Sequence, residues 1–339
     1  MRDHRIDNIK CILIFCVVLG HLCGVVTFRL SWLAYNYIYV FHMFCFVFLT
    51  GMFASSEPKR ILRHLVWPYF VFQTLYLLAA RYWLHTGEPI QYSRPYWMLW
   101  YVFATACWSL LLPLFETKNP KKQGLVMALT VVLALLVGYD READYPLSLS
   151  RVVVYLPSFL AGHYFRHSRF YEALRSGGRR PPVYWIAGGI CGIIGLLVLV
   201  IVYRLGGRLQ SEWLFNANSY LISGYRASWR GAQLLSAAII LAGLLLLTPN
   251  REIPVLTAVG RNTMPVYLLH GFVVTLVEQS GLFQRAIPHK SLFVLLITAA
   301  TVLILSEKHV ARLLSPLLRW PGFLEFHRKR YHTEHRKEL

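Results

Sequence analysis

The sequence predicts an all-α polytopic membrane protein with about ten transmembrane helices and both termini in the cytoplasm. Three observations carry this. The 339 residues are 56% hydrophobic and only 15% charged, against about 25% charged in a soluble domain. Apolar runs of the length that crosses a bilayer, roughly 17–25 residues, recur along the chain. The Lys and Arg residues are unevenly shared between the loops that join these runs. The weak alternation of a membrane β-barrel is absent.

Hydropathy places the helices near 9–28, 31–53, 65–84, 96–115, 124–139, 152–166, 183–205, 231–249, 263–280 and 291–306. The first run is long and lacks a small-residue cleavage site, so it reads as a retained helix rather than a signal peptide. A very short turn joins it to the second run, which makes the two antiparallel neighbours. Ten crossings put both termini on one side. The loops on that side hold 24 of the 35 Lys and Arg, and the positive-inside rule makes that side cytoplasmic. The net charge of +19 is then a topology signal, and a nucleic-acid partner is excluded.

The loop at 140–150, "DREADYPLSLS", carries three acids and one base, as suits the outer side. The segment 206–230 faces the same side. It reads either as a short interfacial helix or lid, or as a passive loop with interfacial Trp and Tyr. Residues 1–310 form a single transmembrane domain, and 311–339 a basic cytoplasmic tail on the anionic leaflet. The six cysteines lie in apolar runs without CxxC spacing and read as small core residues. No metal site is expected.

Polar side chains inside a bilayer are costly and mark function by default. None of the sixteen acids falls in mid-span, which disfavours a carboxylate pair. The buried titratable groups are His21, His42, His163 and His270, so an imidazole must supply any base. Lys10 and His21 stand eleven residues apart, close to three turns, and share a helix face. They are separated by about 16 Å along the axis, too far to touch but right for two ends of one elongated ligand. Asp7 neighbours Lys10 on that face. His21 and His42 reach similar depths on adjacent helices and suggest a shared site. Other readings stay open. A transmembrane His also serves as a hydrogen-bonding link between helices, Asp7 suits an N-cap, Lys10 suits a snorkelling interface residue, and "RPYWMLWY" at 94–101 suits an interfacial aromatic belt.

"IDNIKCILIFCVVLGH" resembles the opening of the membrane acyltransferase-3 family, and more narrowly its fucose 4-O-acetylase-like branch. That opening carries Arg or Lys, ten residues, then His, and Lys10 and His21 match it. "FHMFCFVFLTGMF" at 41–53, "RILRHLVWPYFVF" at 60–72, "WMLWYVFA" at 97–104, "LPSFLAGHYF" at 156–165 and "VGRNTMPVYLLHG" at 259–271 resemble later segments of the branch, in the same order. Lys10 departs from the commoner Arg and loses bidentate phosphate recognition.

The resemblance implies transfer of an acyl group, by default acetyl, from cytoplasmic acyl-CoA to a hydroxyl of a cell-surface glycan or lipid-linked sugar, within the bacterial inner membrane. Acetyl-CoA is then the acyl donor, and the partners are acyl-CoA, a glycan or lipid-linked saccharide, and membrane lipid. His21 becomes the general base, with His42 and Asp7 completing the catalytic set. A basic rim that includes Lys10, Arg60, Arg63, Arg166, Arg169 and Arg261 suits the CoA phosphates. Of these, Lys10, Arg63, Arg166 and Arg261 are assigned to the donor, and Trp100, Arg151 and His270 to the acceptor. A secondary transporter or flippase of a polar or glycan substrate is the rival, since it too has about ten helices and buried histidines. Against it stand the lack of a half-to-half repeat and the scarcity of embedded acids. A sensor or assembly partner without chemistry is a second rival.

Overall fold

The computed structural model describes residues 2–26, 28–85, 89–142, 146–175, 181–284 and 289–318. Among these residues it is helical throughout, with no strand.

Helix α1 (His4–Gly24) opens at Asp3, whose carboxylate accepts the Arg5 backbone N–H at 3.1 Å. The N-cap is therefore Asp3 rather than Asp7. Ile9, Leu13, Ile14, Val18 and Leu22 cover more than half of the circumference of α1 and are all fully buried, as in a helix with neighbours on several sides. Helix α2 (Arg29–Met52) returns antiparallel beside it. A broken helical stretch follows: α3 (Pro58–Ile61), a wide π turn at Leu62–Val66, α4 (Trp67–Leu78) and a second wide turn at Ala79–Trp83. Helices α5 (Trp100–Phe115), α6 (Pro120–Leu136), α7 (Leu149–Arg166), α8 (Arg169–Arg175), α9 (Pro182–Leu205), α10 (Tyr220–Ser223) and α11 (Ala227–Leu247) come next. The chain ends with α12 (Pro254–Arg261), α13 (Thr263–Gln279), α14 (Lys290–Leu305) and α15 (Lys308–Leu318).

Among the described residues six helices are long and apolar enough to cross a membrane, namely α1, α2, α5, α6, α9 and α11. Helices α14 and α15 form a further candidate, bent by 64°. Three other expected spans are helical but shorter, broken or more polar. The stretch 65–84 is split by its wide turns, α13 has 17 residues, and α7 carries Arg151, His163 and Arg166 around Pro157. The expected tail begins inside α15, and residues 319–339 lie outside the described chain.

The packing sets helix α1 at the centre, against α2, α12, α13 and α14. Helices α2 and α7 approach closely enough that a Cβ on Gly51 would stand 1.9 Å from the Phe159 carbonyl oxygen, and one on Gly162 1.9 Å from that of Phe48. Small residues are what allow such backbone contact between membrane helices. Two buried arginines tie helix ends together. Arg5 donates to the carbonyls of Thr248 at 3.3 Å and Leu174 at 2.7 Å. Arg230 donates to Ala134 at 3.2 Å in the last turn of α6, where a cation favours the helix dipole. At the periphery, α9 presents Ile193, Leu196, Leu197 and Ile201 outward, the surface a lipid-facing helix needs.

Candidate functional site

Two separate cavities, one toward each end of the α1–α2 hairpin, take lining from both of its helices. The first, of about 430 Å3, contains His21, His42, Trp97, Trp100, Arg151 and Tyr155 in its lining. The second, of about 300 Å3, contains Lys10, Thr50, Arg60, His64, Tyr101 and Ser109. They share no lining residue. Lys10 and His21 thus look into different chambers about 16 Å apart along α1.

His21 and His42 line this chamber, and a third imidazole, His270, lies against His21. His21 lies in the last turn of α1, with Nδ1 3.3 Å from the Tyr39 hydroxyl. Its ring is edge-on to Trp97 at 4.8 Å and tilted toward His270 at 5.2 Å between centroids. His42 sits about one turn deeper, because Gly20 and Gly24 of α1 face Ile38 and Tyr35 of α2. His42 Nδ1 lies 2.7 Å from the Ile38 carbonyl oxygen. A carbonyl only accepts, so Nδ1 carries the proton and the lone pair is on Nε2. The fully buried His270 is fixed likewise, with Nδ1 donating to Val266 at 3.0 Å and Tyr267 at 2.8 Å.

Loops complete this chamber. Trp97 has φ +41°, a left-handed conformation that costs a bulky residue about 1–3 kcal/mol and that clusters at functional sites. The aromatic run at 94–101 is therefore not merely an interfacial belt: Arg94, Tyr96, Trp97, Met98 and Trp100 all line the cavity. The segment 206–230 is built rather than passive. Leu214 and Phe215 close one wall, and buried Asn216 bonds Tyr155 at 3.1 Å and Gln233 at 3.2 Å. Arg151 sits 5.1 Å over the Trp100 ring and donates from Nε to the Phe215 carbonyl at 3.1 Å. The expected acceptor residues Trp100 and Arg151 thus line the His21 chamber, and His270 stands behind His21 itself.

The Lys10 chamber gathers only part of the expected donor set. Lys10 Nζ and the Arg166 guanidinium each lie over the Phe53 ring, at 5.3 and 5.4 Å. Arg60 and His64 line the cavity, whereas Arg63, on the same turns, is exposed and does not line it. Arg261 is held at 3.0 Å by Glu252 and at 3.7 Å by Asp7, outside both cavities.

The buried Asp7 also receives Arg2 at 2.7 Å. That hydrogen bond raises the Arg2 guanidinium above its ordinary pKa. Asp7 is fourteen residues from His21, about 21 Å along the helix. The structure does not bring it to the three histidines, and its contacts are those of a link between α1 and α12. His163 also lies outside both cavities, 5.2 Å from His167.

Tyr39, Tyr155, Phe215, Tyr101 and Tyr267 were not singled out by sequence reasoning. Tyr101 and Tyr267 fall inside the segments 97–104 and 259–271 that carry the resemblance, and Tyr39 stands three residues before His42 on the same face of α2.

Comparison with known proteins adds three findings. Residues 3–306 match the family model described as "Acyltransferase domain". Nodulation protein NolL of Sinorhizobium fredii (strain NBRC 101917 / NGR234) is 31% identical over 159 residues, which is 40% of this chain and 42% of that protein. The match thus spans less than half the length of this relative. No solved structure matches the chain.

Proposed function

From the premise that this chain belongs to the acyltransferase-3 family and is a membrane acyltransferase, we propose that it moves an acyl group from cytoplasmic acyl-CoA to a hydroxyl of a glycan or lipid-linked sugar. In this reading acetyl is the acyl group, the chain falls in the fucose 4-O-acetylase-like branch, and the bacterial inner membrane is the site. The chain crosses about ten times, the shorter and broken helices included, with both termini cytoplasmic.

The single observation that carries the reading is the pairing of two chambers on one hairpin: a basic one at Lys10 and an imidazole-lined one at His21. A CoA donor has a polyanionic head and a thin pantetheine arm. Lys10, Arg60 and Arg166 suit the head, since charge-assisted hydrogen bonds to phosphate are strong. The arm runs along α1 past Tyr101 and Tyr267 and delivers the thioester to His21.

There the acceptor sugar rests against Trp97 and Trp100, with Arg151 beside it. Neutral His21 takes the hydroxyl proton. The oxygen bonds to the acyl carbon and the C–S bond breaks. The sulfur leaves with the electron pair and recovers the proton from His21. His42 presents its Nε2 to the same chamber and orients the acceptor.

The rival with a specific observation behind it is a transporter, since two chambers divided by a partition also suit alternating access. Incubating the purified chain with radiolabelled acetyl-CoA and lipid-linked saccharides separates the two. Covalent label on the saccharide supports the transferase; saccharide moved across a vesicle membrane without label overturns it.

A further inference from the structure

We propose that His270 is the positioning partner of His21: its Nε2 accepts an N–H of His21 once His21 holds the acceptor's proton, the part a carboxylate plays in a Ser-His-Asp triad. This rests on His21 being the base, as proposed above.

Four observations point there. The proton of His270 is fixed on Nδ1 by two backbone carbonyls, which leaves the lone pair on Nε2. That Nε2 is buried and has no hydrogen-bond partner. An unpaired buried acceptor is costly and calls for an explanation in function. The His21 ring is the neighbour, 5.2 Å away between centroids, a spacing from which rotation of the His21 ring brings an N–H toward that nitrogen. Finally, α13 is pinned at this level. The Tyr76 hydroxyl donates to the Leu268 carbonyl at 2.9 Å, and Gly271 leaves room for it, since a Cβ there would stand 2.5 Å from that hydroxyl.

The surroundings explain why an imidazole takes the place of a carboxylate. His42, Tyr39 and Tyr35 face the chamber from α2, Arg151 and Tyr155 from α7, Tyr267 from α13, and Arg94 from the preceding loop. No carboxylate is among the described lining residues. A permanent anion next to His21 would leave a charge in the apolar interior through the whole cycle. A neutral acceptor leaves the pair uncharged until the proton arrives and again after the thiol leaves. Arg151 opposes positive charge on His21, which makes a dedicated acceptor more valuable during the step.

Two substitutions separate this role from a structural one. Asn places an amide nitrogen where Nδ1 stands, so it preserves the bonds to Val266 and Tyr267 but offers nothing at the position of Nε2. Gln reaches that position with an amide oxygen. Thiol release from acetyl-CoA is followed against pH with the full-length chain in nanodiscs. His270→Asn is expected to lower kcat about 100-fold with KM for acetyl-CoA unchanged, and to move the acid limb of the profile to lower pH. His270→Gln is expected to lose less than tenfold and to keep the limb in place. Wild-type turnover by His270→Asn, or equal losses in both variants with the limb unmoved, overturns the proposal.

A wild-type chain that releases no thiol counts against the donor reading, not against this pair. The pair is then decided by spectra of the protein labelled with 15N-histidine. At acidic pH the wild type and His270→Gln should show a downfield N–H proton coupled to a His21 ring nitrogen, and His270→Asn should lack it. Its absence from the wild type overturns the proposal whatever the turnover.

Discussion

The rings of Tyr101 and Tyr267 meet edge to face with centroids 5.4 Å apart, and this contact stands between the Lys10 chamber and the His21 chamber. Phe46 backs Tyr101 at 6.3 Å. Both hydroxyls are tethered, that of Tyr101 to Thr50 and that of Tyr267 to the Met98 carbonyl. On the proposed donor path a thioester passes this contact between Lys10 and His21, so the width of the partition selects among donors. Tyr101→Ala should raise the rate with butyryl-CoA relative to acetyl-CoA by tenfold or more. Removing a buried aromatic costs about 3–5 kcal/mol of stability, so Tyr101→Leu is the milder companion. An unchanged donor ratio in both variants, measured by competition between the two thioesters, would remove the partition from the donor's path.

Lys10 shares Phe53 with Arg166 at the mouth of the basic chamber. Lys10→Ala should raise KM for acyl-CoA about tenfold, equivalent to roughly 1.4 kcal/mol, with kcat within a factor of three. Lys10→Arg should match or lower the wild-type KM, because a guanidinium binds phosphate through two donors. Initial rates against acyl-CoA concentration decide it. A loss confined to kcat would place Lys10 in the chemistry instead.

Asp7 is joined to Arg2 and Arg261 and lies far from the histidines. Asp7→Asn should therefore lower the thermal midpoint of the solubilised protein by several degrees while kcat stays within about threefold. Asp7 is buried while Arg2 and Arg261 keep part of their solvent, so the destabilisation comes from losing the charge-assisted hydrogen bond to Arg2 and the tie from α1 to α12. A loss of kcat comparable to that of a His21 variant, at unchanged stability, would restore Asp7 to the catalytic set.

Much of this arrangement was written in the spacing of residues. The apolar runs gave the helices, and the eleven-residue step from Lys10 to His21 gave two stations on one face. The short turn before Arg29 gave the antiparallel hairpin that carries His42. What stayed hidden was whatever depends on contacts distant in sequence. His270 pairs with His21 across 249 positions, and no periodicity links them. Arg261 looked like a phosphate ligand because its partners, Glu252 and Asp7, are brought to it only by packing. Trp97 and Phe215 belong to loops, where no repeat signals which side chain faces a cavity. The stretch 65–84 read as one plain span because the wide turns at Leu62–Val66 and Ala79–Trp83 leave no mark on hydropathy.

The most direct measurement compares His21→Ala with the wild type at equal membrane abundance, counting radiolabel transferred from acetyl-CoA to saccharide. Loss of a general base costs about 10²–10⁴-fold, so the variant should fall to that level or below while still inserting and folding. Transfer at the wild-type rate without the His21 imidazole would contradict the assignment at its centre.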